Sequence, residues 1–456
     1  MTHLADSPQT RATNTRDDVA RKLKDDNVRF LHLCFTDIVG QNKNIEIPTS
    51  QFDKALDGQI MFDGSSIEGF VRIEESDMLL RPDFDTYRVY PWSDEGRGKV
   101  ARLICDVMNP DGTPFQGCPR NTLKRVIERA EAMGSRLMAG PEAEFFLFER
   151  DPDGSPTTRV HDGAGYFDAA PLDQAEGCRH EITNYLEALG LQVEASHHEV
   201  APGQHEIDFR YGDALTTADN LSTFKYTVRR VARSFGLHAT FMPKPIFGIN
   251  GSGMHVHLSM FDLAEKDNQF ADPNAEWGIS QRGQHFIGGV IKHAKALAAV
   301  TNPIVNSYKR LVPGYEAPTH IAWSMRNRSP MIRIPERRGL GTRMEIRMPD
   351  PSCNPYLAFA AVLSAGLDGV ENQIEPPPPV SKNIYEMSQR ERARMKISSL
   401  PGNLSEAVDQ LEKSPLLKEA LGEHIFNQFI AAKRQEWQSY IAQVHGWELR
   451  RYLATT

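Results

Sequence analysis

The chain has 456 residues, 40% hydrophobic and 25% charged, with a formal net charge of −8. This is the balance of a soluble globular protein with ample core material, and the negative excess argues against nucleic-acid binding, which calls for a basic surplus or stripe. The polar start (Met1 to Asp18) lacks the apolar segment of a secretory signal, the apolar run Leu357 to Leu367 is too short for a membrane span, and Cys34, Cys105, Cys118, Cys178 and Cys353 form no CxxC pair, so reduced thiols in a cytoplasmic protein are expected.

In chain order, residues 1–13 read as a disordered tail. A helix follows over Thr15 to Lys24, then a hairpin in which Leu31, Leu33 and Phe35 alternate with His32 and Cys34 before Gly40 and Asn42 turn the chain into Asn44 to Ile47. With a strand near Val100 to Val107, these make a small β-rich N-terminal domain over 14–109, closed by the turn cluster Asn109-Pro110-Asp111-Gly112. Residues 110–456 read as a larger α+β domain around an antiparallel sheet. Three helices end at a glycine and pass into a strand: Gly134 into Leu137–Phe148, Gly190 into Leu191–Glu199, and Gly236 into Leu237–Met242. Further helices are predicted over 281–300, 355–370, 404–412 and 416–442, with Pro376 to Pro379 as a stiff linker.

Several strands carry polar faces ill suited to water. Residues i and i+2 of a strand share a face. Glu142 and Glu144 therefore face together, as do His255, His257 and Ser259, Arg343, Glu345 and Arg347, and Glu206, Asp208 and Arg210; Glu199 shares a parity with His197. One such strand is ordinarily half-exposed with a solvated polar side. Four together, bearing Glu, His and Arg in place of the usual mixture, imply converging carboxylates. Like charges about 4 Å apart repel by several kcal/mol at intermediate dielectric, so cations must compensate them. Glutamate oxygens with one imidazole suit Mg²⁺ or Mn²⁺.

Between Lys309 and Arg347 stand Arg310, Arg326, Arg328, Arg333, Arg337, Arg338, Arg343 and Arg347, with a single lysine. Such a bias toward planar forks points to phosphoryl or carboxylate recognition. Asn250-Gly251-Ser252-Gly253 permits close backbone approach to a ligand, Pro313 to Pro318 brackets Glu316 as a mobile lid would, and Phe62-Asp63-Gly64-Ser65-Ser66 is a loop with a carboxylate at its tip. The chain has neither a Walker A motif nor GxGxxG.

Taken in order, Asp63-Gly64-Ser65-Ser66, Pro141 to Phe146, Glu199 through Glu206, Lys244-Pro245 through His257, Asn306 to Arg310 through Pro318, Arg326 to Ser329 and Glu345-Ile346-Arg347 resemble glutamine synthetase. The resemblance spans about residues 15 to 450. It implies an N-terminal β-grasp domain, a catalytic domain whose curved antiparallel sheet is flanked by helices, and a homo-dodecamer of two hexameric rings with active sites between neighbouring subunits. It implies ATP-dependent ligation of ammonium to L-glutamate. One divalent ion would be held by Glu144, Glu199 and Glu206, a second by Glu142, His255 and Glu345. Asn250, Gly251, Arg310 and Arg347 would bind glutamate. Arg328 and Arg333 would stabilise the phosphoryl group, and Glu194, His257, Ser259 and Arg343 would lie near the ATP. Asp63 of the adjacent subunit would take a proton from ammonium, and Glu316 would close the lid and accept another.

The short Glu199–Glu206 spacing and the lack of a long insertion between Phe148 and Gly165 match the shorter prokaryotic branch, which is not adenylylated. Tyr385 sits in a context unlike the modified motif, and Arg72 matches an arginine that mediates feedback inhibition by glutamine. Small regulatory proteins are further candidate partners. Competing readings are a γ-glutamylamine (polyamine) ligase, a nitrogen-sensing binding protein and a phosphagen-kinase-like transferase. Retention of both Asp63 and Glu316 favours ammonium.

Overall fold

The Thr15 side chain accepts from the backbone of Asp18 and caps the first helix, Arg16–Asp25, whose Val19 and Leu23 pack onto a five-stranded sheet. The computed structural model describes residues 13–69, 77–93 and 96–456. Nearly all of the expected tail lies outside the described residues, and so does Arg72. The sheet comprises Val28–Thr36, Asn42–Pro48, Ile60–Asp63, Asp77–Val89 and Lys99–Met108, ordered second, first, fifth, fourth, third. The first and fifth strands run parallel and the other neighbours antiparallel. Leu31, Leu33, Leu103 and Val107 alternate inward to build a separate small core, as period-two patterning requires. This is the β-grasp arrangement that the resemblance implied.

Arg120, at the start of the helix Pro119–Ala132, ties this sheet to the rest of the chain. Its guanidinium donates to Asp106 (2.7 Å) and Asp83 (2.7 Å) of the sheet and to Asp219 (2.9 and 2.8 Å) of the helix Ala214–Ser234. The site is buried, so removing the arginine would take the shared cation from three carboxylates and leave only Asp106 with another, Lys124.

Two further sheets replace the single one expected. The predicted strand Leu137–Phe148 is interrupted at Glu144, where the chain leaves one sheet for the other. Ser135–Ala143 belongs to a six-stranded sheet and Phe145–Arg150 to a five-stranded one. Between them the Glu144 amide donates to Gly253 O, and its side chain turns into the site. The six-stranded sheet runs Gly212–Asp213, Ser135–Ala143, Met254–Asp262, Met344–Ile346, Ile332–Arg333, Trp323–Ser324 and is antiparallel except for its last pair. The five-stranded sheet runs Leu237–Thr240, Phe145–Arg150, Gln204–Phe209, Val193–His198, with Pro156–Val160 also paired to Phe145–Arg150. Helices Ala214–Ser234, Gln281–Thr301 and Pro355–Glu371 cover the sheets and share one large core with them.

The three helix-ending glycines, Gly134, Gly190 and Gly236, all have positive φ, as expected of left-handed caps. The strand read at Arg343 to Met348 shortens to Met344–Ile346. The helix predicted over 416–442 is two, Pro415–Leu421 and Glu423–Ile441, because Gly422 at φ 78° breaks the ladder. A further helix, Gly446–Tyr452, follows. Among the described residues no helix is long and apolar enough to cross a membrane.

Candidate active site

Register brings the first group of ligand atoms together. His255 lies opposite Glu142 on one neighbouring strand, and Glu345 comes from the strand on the other side, opposite His257. His255 Nδ1 is 3.5 Å from Glu142 Oε2 and 3.7 Å from Glu345 Oε1, and one ligand atom from each residue lies within 4.8 Å of the others. Both separations are too long for good hydrogen bonds and leave room for a shared cation. Burial pushes the His255 pKa down, aided by the charge of Arg347, and neutral imidazole is the ligating form. Burial works against ionised Glu142 and Glu345, yet His257 and His255 hold both carboxyls below the usual range, with Arg347 and Arg333 adding to the effect at Glu345.

The second group sits on the hairpin Val193–His198 and Gln204–Phe209. Glu206 pairs across from His197, and the Glu199 amide closes the hairpin by donating to Gln204 O (2.8 Å). His197, Glu199 and Glu206 bring ligand atoms within 4.8 Å of one another. The sequence grouping had Glu144 where the close trio has His197. The Glu144 carboxylate is instead engaged by Gln204 Nε2 (2.8 Å) and the Gly253 amide (3.0 Å). It still feels this trio: burial, then the charge of Glu199, raises its pKa well above the ordinary value. Burial also lifts Glu199 to about 7 and, with the charge of Glu142, lifts Asp208 to about 8. Burial and the Asp208 charge raise Glu206 as well. Asp208 Oδ1 is buried with no hydrogen-bond partner among the described residues. Four carboxylates that oppose one another's ionisation, with an orphaned oxygen among them, fit a divalent cation.

Two cavities flank these groups. The first, about 410 Å³, is lined by Glu144, Glu199, Asn250, Gly251, Gly253, His255, Arg310, Tyr315, Glu316 and Arg347 among others. The glycines are required here. A Cβ at position 251 would lie 2.2 Å from Pro243 O, and one at 253 would lie 2.7 Å from Arg310 Nη2. Arg310 is buried and fixed by the carbonyls of Met348 (2.9 Å), Pro349 (3.3 Å) and Arg347 (3.1 Å). Arg347 is also buried, and among the described residues its Nε has no partner, so it holds an unspent donor for an anion. Glu316 is exposed on the Pro313 to Pro318 loop, and the Tyr315 ring beside it lies 3.5 Å from Lys244 Nζ.

The second cavity, about 650 Å³, is lined by Glu142, Glu194, Asp208, Phe209, Tyr211, His257, Ser259, Arg337, Leu340 and Arg343 among others. Arg343 Nε donates to His257 Nδ1 (3.0 Å), which leaves the Nε2 proton facing Glu142 Oε1 (2.9 Å). The four residues expected near a nucleotide, Glu194, His257, Ser259 and Arg343, thus share one wall system. Arg328 and Arg333 line neither cavity; Arg328 is exposed, and Arg333 is ion-paired to Glu345. Asp63 ends the strand Ile60–Asp63, is exposed, accepts from the Ser65 amide (2.8 Å) and lines neither cavity of its own chain.

Some participants escaped the sequence reading. Gln204 shares strand parity with Glu206 and Asp208, which could have singled it out. Tyr166 and Phe167 stack on each other at 4.0 Å, with Phe167 4.7 Å from the His197 ring; they sit on a loop, where no periodic signal exists. Tyr385, already singled out in the sequence, is half-buried, and its hydroxyl donates to Ala317 O (2.6 Å).

Comparison with known proteins completes the description. The family model "Glutamine synthetase, beta-Grasp domain" matches residues 27–110, and "Glutamine synthetase, catalytic domain" matches 116–452. The chain is 62% identical over 444 residues to a glutamine synthetase of Thermus thermophilus, covering 97% of this chain and 99% of the relative. It is 55% identical over 442 residues to one of Staphylococcus aureus, covering 97% and 98%. Among solved structures, a GmaS/ADP complex superposes with a TM-score of 0.87 at 36% identity, covering 96% of this chain and 99% of the other. A Plasmodium falciparum glutamine synthetase superposes with a TM-score of 0.86 at 26% identity, covering 97% and 100%.

Proposed function

The chain belongs to the glutamine synthetase family and makes glutamine from glutamate and ammonia with ATP, and we propose the following division of labour among its residues. The observation that carries it is the meeting of mutually opposed buried carboxylates with two cavities, one walled by buried arginines. Glu142, His255 and Glu345 would hold one divalent ion, and Glu144, Glu199 and Glu206 a second, with His197 beside them. When bound, Mg²⁺ or Mn²⁺ neutralises charge on the ATP phosphates and on the transferring phosphoryl group.

Arg310 and Arg347, with Asn250 and Gly251, bind L-glutamate in the smaller cavity. Hydrogen bonds to the carbonyls of Met348, Pro349 and Arg347 keep the Arg310 fork aimed before substrate arrives, so little ordering of it remains at the moment of reaction. Glu194, His257, Ser259 and Arg343 surround ATP in the larger cavity. Arg328 and Arg333 stabilise the phosphoryl group, which requires Arg333 to exchange its present partner, Glu345, for substrate. A carboxylate is a poor electrophile. Phosphorylation of the glutamate side chain to γ-glutamyl phosphate gives it a leaving group, and ammonia then displaces phosphate.

Asp63 of a neighbouring subunit and Glu316 provide an anionic pocket that draws in ammonium and accepts its protons. Closure of the Pro313 to Pro318 loop keeps water from the acyl phosphate. The exposed position of Asp63, outside its own chain's cavities, supports a site shared between subunits and with it the homo-dodecamer. A cytoplasmic location accompanies this reading.

Incubation with ATP and glutamate plus either ammonium or putrescine tests the assignment. Glutamine should form with ammonium, and ligated putrescine should be negligible. Activity with putrescine alone would establish the polyamine ligase instead.

A further inference from the structure

The β-grasp sheet and the helix Ala214–Ser234 enclose another cavity, of about 610 Å³, that shares no lining residue with the two at the active site. Arg102 reaches into it from the strand Lys99–Met108. This side chain is 6% exposed, and its Nε and Nη1 are buried without a hydrogen-bond partner. Among the described residues no carboxylate pairs with it. Its cross-strand neighbours make matters worse, since His32 and Arg88 stand opposite it in the register. His32 is taken by Glu46 (3.0 Å), and among the described residues Arg88 donates only to the carbonyls of Leu189, Asp85 and Tyr87. Lys43, also on the cavity wall, is paired with Asp37 (3.4 Å). A buried guanidinium next to a second cation, with no anion in reach among the described residues, is unfavourable unless a ligand supplies the charge.

The remaining walls describe the rest of that ligand. Tyr90, stacked on Trp92 at 4.7 Å, and Tyr226, 5.8 Å from Tyr90, form an aromatic side. Phe35 and Ile104 add apolar surface. We propose that this cavity binds a small organic monoanion, a flat apolar ring bearing one carboxylate, with the carboxylate on the Arg102 fork and the ring against Tyr90 and Tyr226. A planar fork matches a carboxylate in two parallel hydrogen bonds. Ser222, Thr223 and Tyr226 belong to the helix and Arg102 to the sheet, so an occupant bridges the two layers and acts as an effector of their packing.

Calorimetric titration of the full-length protein with 4-hydroxybenzoate, in saturating L-glutamate to occupy the substrate site, tests this. Saturable binding is expected. Losing the charge-assisted hydrogen bonds in Arg102→Gln should weaken it roughly tenfold to a hundredfold, with turnover in the absence of 4-hydroxybenzoate preserved. Tyr226→Trp fills the cavity while keeping Arg102; it should lose binding as well and decides the matter if Arg102→Gln does not fold. Absence of saturable binding, or binding undiminished in the variants that fold, would overturn the proposal. Tighter binding of phenyl phosphate than of 4-hydroxybenzoate would overturn the carboxylate assignment.

Discussion

Stripping the divalent ions should make stability fall as pH rises, and the size of the effect follows from the carboxylate cluster. Glu199 titrates at about 7 and Asp208 at about 8 in the folded chain, against ordinary values of 4.5 and 3.8. An acid whose folded pKa is raised stabilises the fold fully below its unfolded pKa, and that contribution is lost as pH climbs through the folded value. From pH 6 to 9 the unfolded chain has both groups ionised. The metal-free fold must surrender both protons over the same interval, one pH unit above the Glu199 midpoint by pH 8 and the Asp208 midpoint by pH 9. At about 1.4 kcal/mol per proton per pH unit, these two groups account for a loss of about 4 kcal/mol, and Glu144 and Glu206, raised in the same direction, add to it. A divalent cation held by this cluster would compensate the ionised carboxylates in place of protons, so the slope should flatten. Urea unfolding followed by tryptophan fluorescence at pH 6 and pH 9, in EDTA and in excess Mg²⁺, measures both slopes. Comparing the two isolates the cluster from groups elsewhere, such as Lys225, that also titrate there. Equal slopes with and without metal, or a metal-free protein more stable at pH 9, would refute the reasoning.

Glu345→Ala should reduce kcat by at least about a hundredfold, because it removes a proposed ligand atom and the partner of Arg333 while leaving the small and large cores untouched; circular dichroism should remain that of the parent. Asp63→Ala should impair ammonium use more than acyl-phosphate formation, read by trapping γ-glutamyl phosphate with hydroxylamine; equal loss of both would remove Asp63 from the ammonium pocket. Arg120→Met should destabilise the chain by about 3 kcal/mol or more in thermal unfolding, since three aspartates lose their common cation.

Much of the site was legible because strand alternation is a strict geometric rule. Glu142, His255 and Glu345 sit on three adjacent strands, and parity alone placed each on the correct face. What parity could not show was where strands stop. Glu144 shares its parity with Glu142, but the chain changes sheets at that residue, so its carboxylate meets Gln204 and Gly253 while His197 joins Glu199 and Glu206. The change depends on a backbone hydrogen bond to Gly253, which is 109 residues away in sequence. Helix breaks follow the same logic: Gly422 was visible as a residue, but its positive φ was not. Residues on loops, such as Tyr166, carry no periodic signal and become legible only when the loop is placed.

In the proposed mechanism ATP activates the glutamate side chain before ammonia attacks. The most direct test supplies L-glutamate labelled with ¹⁸O in its γ-carboxylate and follows the label by mass spectrometry of the released phosphate. One ¹⁸O per phosphate is expected, because the oxygen that attacks ATP departs with the phosphoryl group when ammonia displaces it. Phosphate free of label, with glutamine still formed, would contradict it.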